Sequence, residues 1–187
     1  MTTDYTIDIE TPTLETADAP TRAVLERAQK SVGFIPNMYT GMAVVPAVLD
    51  TYLDGYQRFR EEAGFTPPEQ EVVFLTISRF NGCDYCQAAH SMIADKKSQV
   101  PQDSLAALRA GQTLPDARLE ALRAFTDTMV ESRGNPSEAD VAAFREAGFE
   151  QRHILGIILA LAVKTLSNYT NHLFKPEVDA VFADYTV

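Results

Sequence analysis

The chain's two cysteines stand three positions apart, as Cys83-Asp84-Tyr85-Cys86, and His90 follows four residues later. A helix turns about 100° per residue, so positions 83, 86 and 90 fall on one helical face within roughly 60°. The thiols can close a short disulfide there, and His90 lies one turn beyond Cys86. This layout suits thiol redox chemistry. The thiolate is the nucleophile, and a free thiol is mostly protonated at neutral pH. A helix N-terminus lowers a thiol pKa through its unpaired N–H groups and dipole, which favours Cys83. A neighbouring imidazole favours Cys86, so these two effects leave the attacking sulfur open. A second thiol nearby traps a sulfenic acid as a disulfide before further oxidation.

Glu71 stands twelve residues before Cys83, on the preceding helical segment beside Phe74 and Leu75. Partial burial there raises a carboxyl pKa toward that of a useful proton acceptor. If the two helices fold back at Asn81-Gly82, Glu71 approaches His90, orients the imidazole and accepts its proton.

The elements that must position these groups read as helical throughout, with no run of period-2 alternation. Residues 1–13 read as an extended arm. A first helix spans about Pro20 to Ser31, started near Asp18 and stopped by Gly33. Phe34-Ile35-Pro36-Asn37 is a turn, and Pro46 divides the helical region after it. Leu49, Tyr52, Leu53, Tyr56 and Phe59 then recur at helical spacing until Gly64. Thr66-Pro67-Pro68-Glu69 is a strong start signal: hydroxyl cap, Pro at the first helical position, Glu at the third. That helix runs to the Asn81-Gly82 break. The next starts at or just before Cys83 and reaches about Lys97. A short helical piece begins at Pro101. Asp116 and Ser137 open two further helices. The most apolar helix spans Gln151 to about His172. Its apolar residues go nearly all round, which predicts a central position or a subunit interface. Pro176 ends it, and a short tail helix follows. The fold class is all-α, a single domain over residues 1–187.

The formal net charge is −10. Such a surface repels phosphate backbones and anionic lipid, which excludes nucleic acid and membrane as expected partners. The N-terminus has neither a basic nor an apolar signal region. The longest apolar stretch, Ile154 to Val163, is about half of a bilayer span, and Lys164 interrupts it. A cytoplasmic protein is expected, and two cysteines are too few for a secreted disulfide scaffold.

The pattern of Glu71, Cys83-x-x-Cys86 and His90 resembles the alkylhydroperoxidase D signature, within the carboxymuconolactone decarboxylase-like superfamily. Gly33-Phe34-Ile35-Pro36-Asn37 and Asn168-Tyr169-Thr170-Asn171-His172 are similar to its peroxidase-related branch. The resemblance implies an all-helical fold with the site on a helical hairpin, homo-oligomers that are often trimers or hexamers, and reduction of hydrogen peroxide or organic hydroperoxides without a bound cofactor. It implies that Cys86 becomes the sulfenic acid, Cys83 resolves it, and Glu71 and His90 relay the proton. An external thiol or dithiol reductant reopens the disulfide. Tyr85 departs from the pattern, which commonly has His before the second cysteine. A tyrosine cannot replace an imidazole as a base near neutral pH, but its hydroxyl can donate a hydrogen bond.

Asn171 and His172 follow the apolar helix; helix capping is their expected role, with the site as the alternative. His153 is expected to be exposed or in an interface. Tyr52 and Tyr56 are spaced as core residues that can also line a pocket. Two competing functions remain. One is a zinc module built from Cys83, Cys86, His90 and Glu71. The other is a general dithiol oxidoreductase or redox sensor, whose sites usually follow a strand.

Overall fold

Among the described residues the chain forms nine α-helices: α1 (Ala19–Val32), α2 (Asn37–Ala43), α3 (Pro46–Glu62), α4 (Pro67–Phe80), α5 (Asp84–Lys96), α6 (Gln102–Ala110), α7 (Ala117–Glu131), α8 (Glu138–Glu146) and α9 (Gln151–Phe174). A 3₁₀ turn, Ala180–Tyr185, follows. The computed structural model describes residues 5–186, and no strand occurs among them. The all-α expectation is met. Residues 5–13 carry neither helix nor strand, and Ile7 N–H donates to the Leu173 carbonyl at 3.0 Å. The rest of the expected arm, residues 1–4, lies outside the described residues.

Local chemistry sets the boundaries. Asp18 caps α1 by accepting from Thr21 N–H at 3.0 Å, and Gly33 ends the helix in a left-handed conformation at φ 93°. At the start of α4, Thr66 N–H donates to Glu69 Oε2 at 2.8 Å. The other carboxylate oxygen of Glu69 accepts from Arg118 Nε at 2.8 Å, which ties α4 to α7. Asp116 and Ser137 cap α7 and α8, at 2.8 Å to Leu119 N–H and 3.2 Å to Asp140 N–H.

The core runs through Leu25, Leu49, Phe59, Phe74, Ile77, Leu122, Met129, Phe144 and Ile157, all essentially without solvent contact. α9 crosses it and packs on α2, α3, α4, α5 and α7. Its length and mean hydropathy reach those of a membrane span. The apolar residues do not all face inward, however. Leu155, Ile158 and Tyr169 are exposed, whereas Lys164, Ser167, Asn168 and Asn171 are buried. These four polar residues recur at i, i+3, i+4 and i+7, which is one face of a helix. The long apolar helix therefore turns its polar stripe toward the protein interior.

α9 comes close to the segment that follows α3 because glycine stands at the contact. A Cβ on Gly156 would lie 3.0 Å from the Phe65 ring and 3.2 Å from the Ala63 carbonyl oxygen. Backbone cannot yield as a side-chain tip can. Gly156→Val is expected to cost about 2 kcal/mol through overpacking, read as a lower urea midpoint with unchanged slope. A cost within about 0.5 kcal/mol of zero would show that this contact is loose.

Candidate active site

The cysteines sit on a helical hairpin. α4 ends at Phe80, Asn81 follows it, and Gly82 turns the chain at φ +67°, a left-handed conformation that a side chain would strain. Cys83 N–H donates back to the Ser78 carbonyl at 2.9 Å, and Cys83 becomes the residue that precedes α5. Asn81 Nδ2 donates to Asn168 Oδ1 at 2.9 Å, which fastens the turn to α9.

Folding back in this way brings Glu71 of α4 to His90 of α5. Glu71 has no solvent contact. One carboxylate oxygen lies 2.8 Å from His90 Nδ1, and the other lies 2.5 Å from Arg60 Nη1 and accepts from Ser98 Oγ at 3.3 Å. Arg60 spans α3 to this carboxylate. It also donates to Tyr56 Oη at 2.6 Å and to Gln70 Oε1 at 3.0 Å, and its guanidinium covers the Tyr56 and Phe74 rings at 4.8 and 4.9 Å. Burial alone would raise the Glu71 carboxyl, but His90 and Arg60 outweigh it and hold the pKa below the ordinary value. The expectation of a raised pKa is thus corrected. It counted burial and had no view of the arginine. Glu71 is a fixed anion here.

His90 is pushed down to about 4 by burial and by the Lys164 charge, against the opposing pull of Glu71. The imidazole is therefore neutral at pH 7. An ionised carboxylate only accepts, so the Nδ1 facing it carries the proton and Nε2 is left as the acceptor. In the unfolded chain His90 titrates near 6.5, so as pH falls the unfolded state binds a proton that the folded site refuses. The stability this residue contributes is full above about pH 6.5 and is lost as pH falls toward 4. Between pH 7 and pH 5 that loss is about 2 kcal/mol. Urea unfolding at a series of pH values is expected to give a shallower profile for His90→Gln by that amount. An equally steep profile would mean that His90 is not held neutral.

Both thiols are free and buried. Asn171 Nδ2 reaches both, at 3.5 Å from Cys83 Sγ and 3.3 Å from Cys86 Sγ. Their electrostatics differ. Burial would raise the Cys86 thiol, but the neighbouring Cys83 thiol and the Lys164 charge, with the Ser167 and Asn168 side chains, together hold it down at about 5. Cys83 is pushed far up, first because its S–H donates to Cys86 and then by burial. Cys86 is the thiolate of the pair and Cys83 keeps its proton. The helix N-terminus, which on sequence grounds favoured Cys83, is outweighed.

Cys86, His90 and Lys164 open onto a cavity of about 230 Å³, lined also by Tyr39, Tyr52, Tyr56 and Tyr85. Tyr52 and Tyr56 are therefore both packed and pocket-lining. Tyr85 donates a short hydrogen bond to Asp179 and meets Phe182 edge-on, with ring centroids 6.1 Å apart. It closes one wall of the cavity in the donor role its hydroxyl allows.

Two further expectations are corrected. Asn171 does not act as a helix cap but touches both sulfurs, while His172 points to solvent and stacks on Tyr169 at 6.1 Å between ring centroids. One residue of helical phase separates the two fates. His153 is buried rather than exposed: Nδ1 accepts from Glu150 N–H at 2.9 Å and Nε2 lies 3.3 Å from the Gly64 carbonyl. It joins the start of α9 to the loop after α3. Sequence reasoning missed Arg60, Ser98, Lys164, Ser167 and Asn168. The signal for three of them was present, since positions 164, 167, 168 and 171 share one face of an otherwise apolar helix.

Residues 46–127 match the model of the carboxymuconolactone decarboxylase family, a segment that contains Glu71, Cys83, Cys86 and His90. No curated protein matches the chain in sequence. Among solved structures, an alkylhydroperoxidase D core, described as a peroxidase-related protein from Ralstonia eutropha, is similar at 23% identity and a TM-score of 0.80, covering 93% of each chain. A peroxidase-related protein from a Silicibacter species is similar at 24% identity and a TM-score of 0.75, covering 96% of this chain and 95% of that one. A cysteine-to-alanine variant of the debrominase Bmp8, in complex with 2,3,4-tribromopyrrole, is similar at 17% identity and a TM-score of 0.76, covering 97% of each chain. At these identities the likeness shows the fold. Together with the family match it bears out the superfamily resemblance read from the cysteine pattern.

Proposed function

From a chain whose residues 46–127 match the carboxymuconolactone decarboxylase family model and whose fold is that of an alkylhydroperoxidase D core, we propose a peroxidase that reduces hydrogen peroxide or small organic hydroperoxides through a Cys83–Cys86 disulfide. One observation carries the reading. The buried Cys86 sulfur faces a small cavity beside His90 and Lys164, with Asn171 Nδ2 at 3.3 Å, and the Cys83 thiol and the Lys164 charge hold its pKa low. At pH 7 Cys86 is a thiolate, the form that attacks a peroxide oxygen. The attack leaves a sulfenic acid on Cys86 and expels the alkoxide, or hydroxide from hydrogen peroxide, which departs as the alcohol or water on taking a proton from the site. Cys83 then displaces the hydroxyl to form the disulfide. His90 Nε2 takes the Cys83 proton and passes it to the departing hydroxide, with Glu71 holding the ring throughout. An external thiol or dithiol reopens the disulfide.

The competing readings fare less well. Glu71, needed for a zinc set, has its oxygens engaged by His90, Arg60 and Ser98. A protein disulfide would have to reach sulfurs at residues only 1–2% exposed. Graded addition of tert-butyl hydroperoxide to the reduced protein is expected to consume both thiols and lower the mass by two hydrogens. Thiols that stay free in excess peroxide would overturn the reading.

The partner surface is a second copy of the chain. Leu155, Ile158 and Tyr169 present exposed apolar side chains along one side of α9, 68%, 46% and 55% accessible. A stripe of this kind on a helix is covered in homo-oligomers. Leu155→Glu with Ile158→Glu is expected to shift a trimer or hexamer to monomer in light scattering. A monomeric parent protein would remove this assignment.

A further inference from the structure

Lys164 is 1% exposed, and its ammonium has no hydrogen-bond partner among the described residues. It lines the cavity together with Cys86 and His90 and lies 5.5 Å from the Phe74 ring centroid. A buried ammonium without a partner is costly, so its place needs an account. Glu71 is already engaged by Arg60, which leaves the Cys86 thiolate as the counter-charge for Lys164.

The proposed peroxide step raises a proton problem at this point. Breaking the O–O bond of an alkyl hydroperoxide expels an alkoxide, a strong base that needs an acid beside it. His90 cannot serve, because its cavity-facing nitrogen is an acceptor. Tyr39 and Tyr52 are pushed to higher pKa by burial. Tyr56 is likewise raised by burial, and its oxygen accepts from Arg60. Tyr85 commits its hydroxyl to a hydrogen bond donated to Asp179. Lys97 lines the cavity from an exposed position. Lys164 is the one buried cavity cation with uncommitted protons.

Building on the peroxidase reading, we propose that Lys164 is the catalytic acid that protonates the oxygen leaving the peroxide. The Cys86 thiolate forms an S–O bond to the terminal peroxide oxygen as the O–O bond breaks. The electron pair goes to the RO oxygen, which takes a proton from the Lys164 ammonium and departs as ROH. Cys83 then forms the S–S bond, and its proton joins the hydroxide displaced from Cys86 to give water. The sulfurs are oxidised by two electrons, and the peroxide is reduced by the same two. The thiolate charge and the ammonium charge vanish together, so the oxidised site holds no unpaired buried cation. Reduction reverses this: as Cys86 is released as a thiolate, Lys164 regains a proton.

The test compares two oxidants on the reduced full-length protein in single-turnover stopped flow. tert-Butyl hydroperoxide expels an alkoxide, whereas peracetic acid expels acetate, which needs no proton donor. Rates are normalised to the thiolate fraction, read from absorbance at 240 nm and from iodoacetamide alkylation. Lys164→Met is expected to slow tert-butyl hydroperoxide by about 100-fold and peracetic acid by less than about threefold. Lys164→Arg keeps the cation beside Cys86 but is a poor proton donor. It is expected to restore the thiolate and leave the tert-butyl hydroperoxide rate low. In the unaltered protein, a series of hydroperoxides with differing leaving groups is expected to react at nearly equal rates, and this arm needs no variant. Equal slowing of both oxidants in Lys164→Met, or a steep leaving-group dependence in the unaltered protein, would show that Lys164 acts only on the thiolate. A parent protein inert to both oxidants would remove the peroxidase reading, and this assignment with it.

Discussion

Replacing Cys86 by serine is expected to lower peroxide turnover by at least about 1000-fold, because a hydroxyl at this place stays protonated and is a far weaker nucleophile. Serine at Cys83 is expected to behave differently. The first oxidation needs only Cys86, so one equivalent of peroxide is still consumed. Without the resolving thiol, Cys86 stays a sulfenic acid and moves on to the irreversible sulfinic state in excess peroxide. Serine keeps a hydroxyl donor beside Cys86, whereas Cys83→Ala removes the foremost influence lowering that thiol. The first step of Cys83→Ala should therefore slow at pH 6 more than at pH 8. Stopped-flow thiol loss and steady-state turnover separate these outcomes. Normal turnover by the Cys86 variant would contradict the assignment of the two sulfurs.

The largest expected stability effect belongs to Arg60. Arg60→Met removes the cation that pairs at 2.5 Å with a carboxylate having no solvent contact. Removing one partner of a buried pair leaves an uncompensated charge and typically costs about 3–5 kcal/mol. Part of the strain is relieved by protonating Glu71, which alters its partner in turn. A neutral carboxyl can donate to Nδ1 as well as accept from it, so the proton on His90 is no longer confined to one nitrogen. The expected result is a drop of about 3 kcal/mol in urea-derived stability together with a fall in the rate of disulfide closure. Glu71→Gln in the Arg60→Met background should recover part of the stability, because the orphaned charge is then gone. Measured as a double-mutant cycle, strict additivity would show that the pair is not coupled.

These effects trace to features that the sequence displayed unevenly. The hairpin was legible. Thr66-Pro67-Pro68-Glu69 starts α4, Asn81-Gly82 follows its end, and Cys83, at the cap of α5, stands on the side of that helix that carries Cys86 and His90. Glu71 was placed at His90 from that folding-back alone, and the structure puts the two at 2.8 Å. The charge state of Glu71 was not legible. It depends on Arg60, which sits on a helix whose crossing with α4 is set by tertiary packing rather than by local pattern. Spacing likewise could not choose between the sulfurs, because the choice rests on groups that α9 supplies from about eighty residues away. Lys164 read as an interruption of an apolar stretch. Its spacing to Ser167, Asn168 and Asn171 carried the missing information, since polar residues on one face of a buried helix must meet polar partners. His172, one step further, falls on the solvent side, although it lay in the same motif as Asn171.

The central claim is that Cys86, not Cys83, becomes the sulfenic acid. Dimedone trapping with peptide mass spectrometry tests it most directly, on Cys83→Ser and Cys86→Ser proteins exposed to one equivalent of peroxide. A dimedone adduct is expected on Cys86 in the first protein and almost none on Cys83 in the second. An adduct on Cys83 in the Cys86→Ser protein, with Cys86 unlabelled in its counterpart, would contradict it.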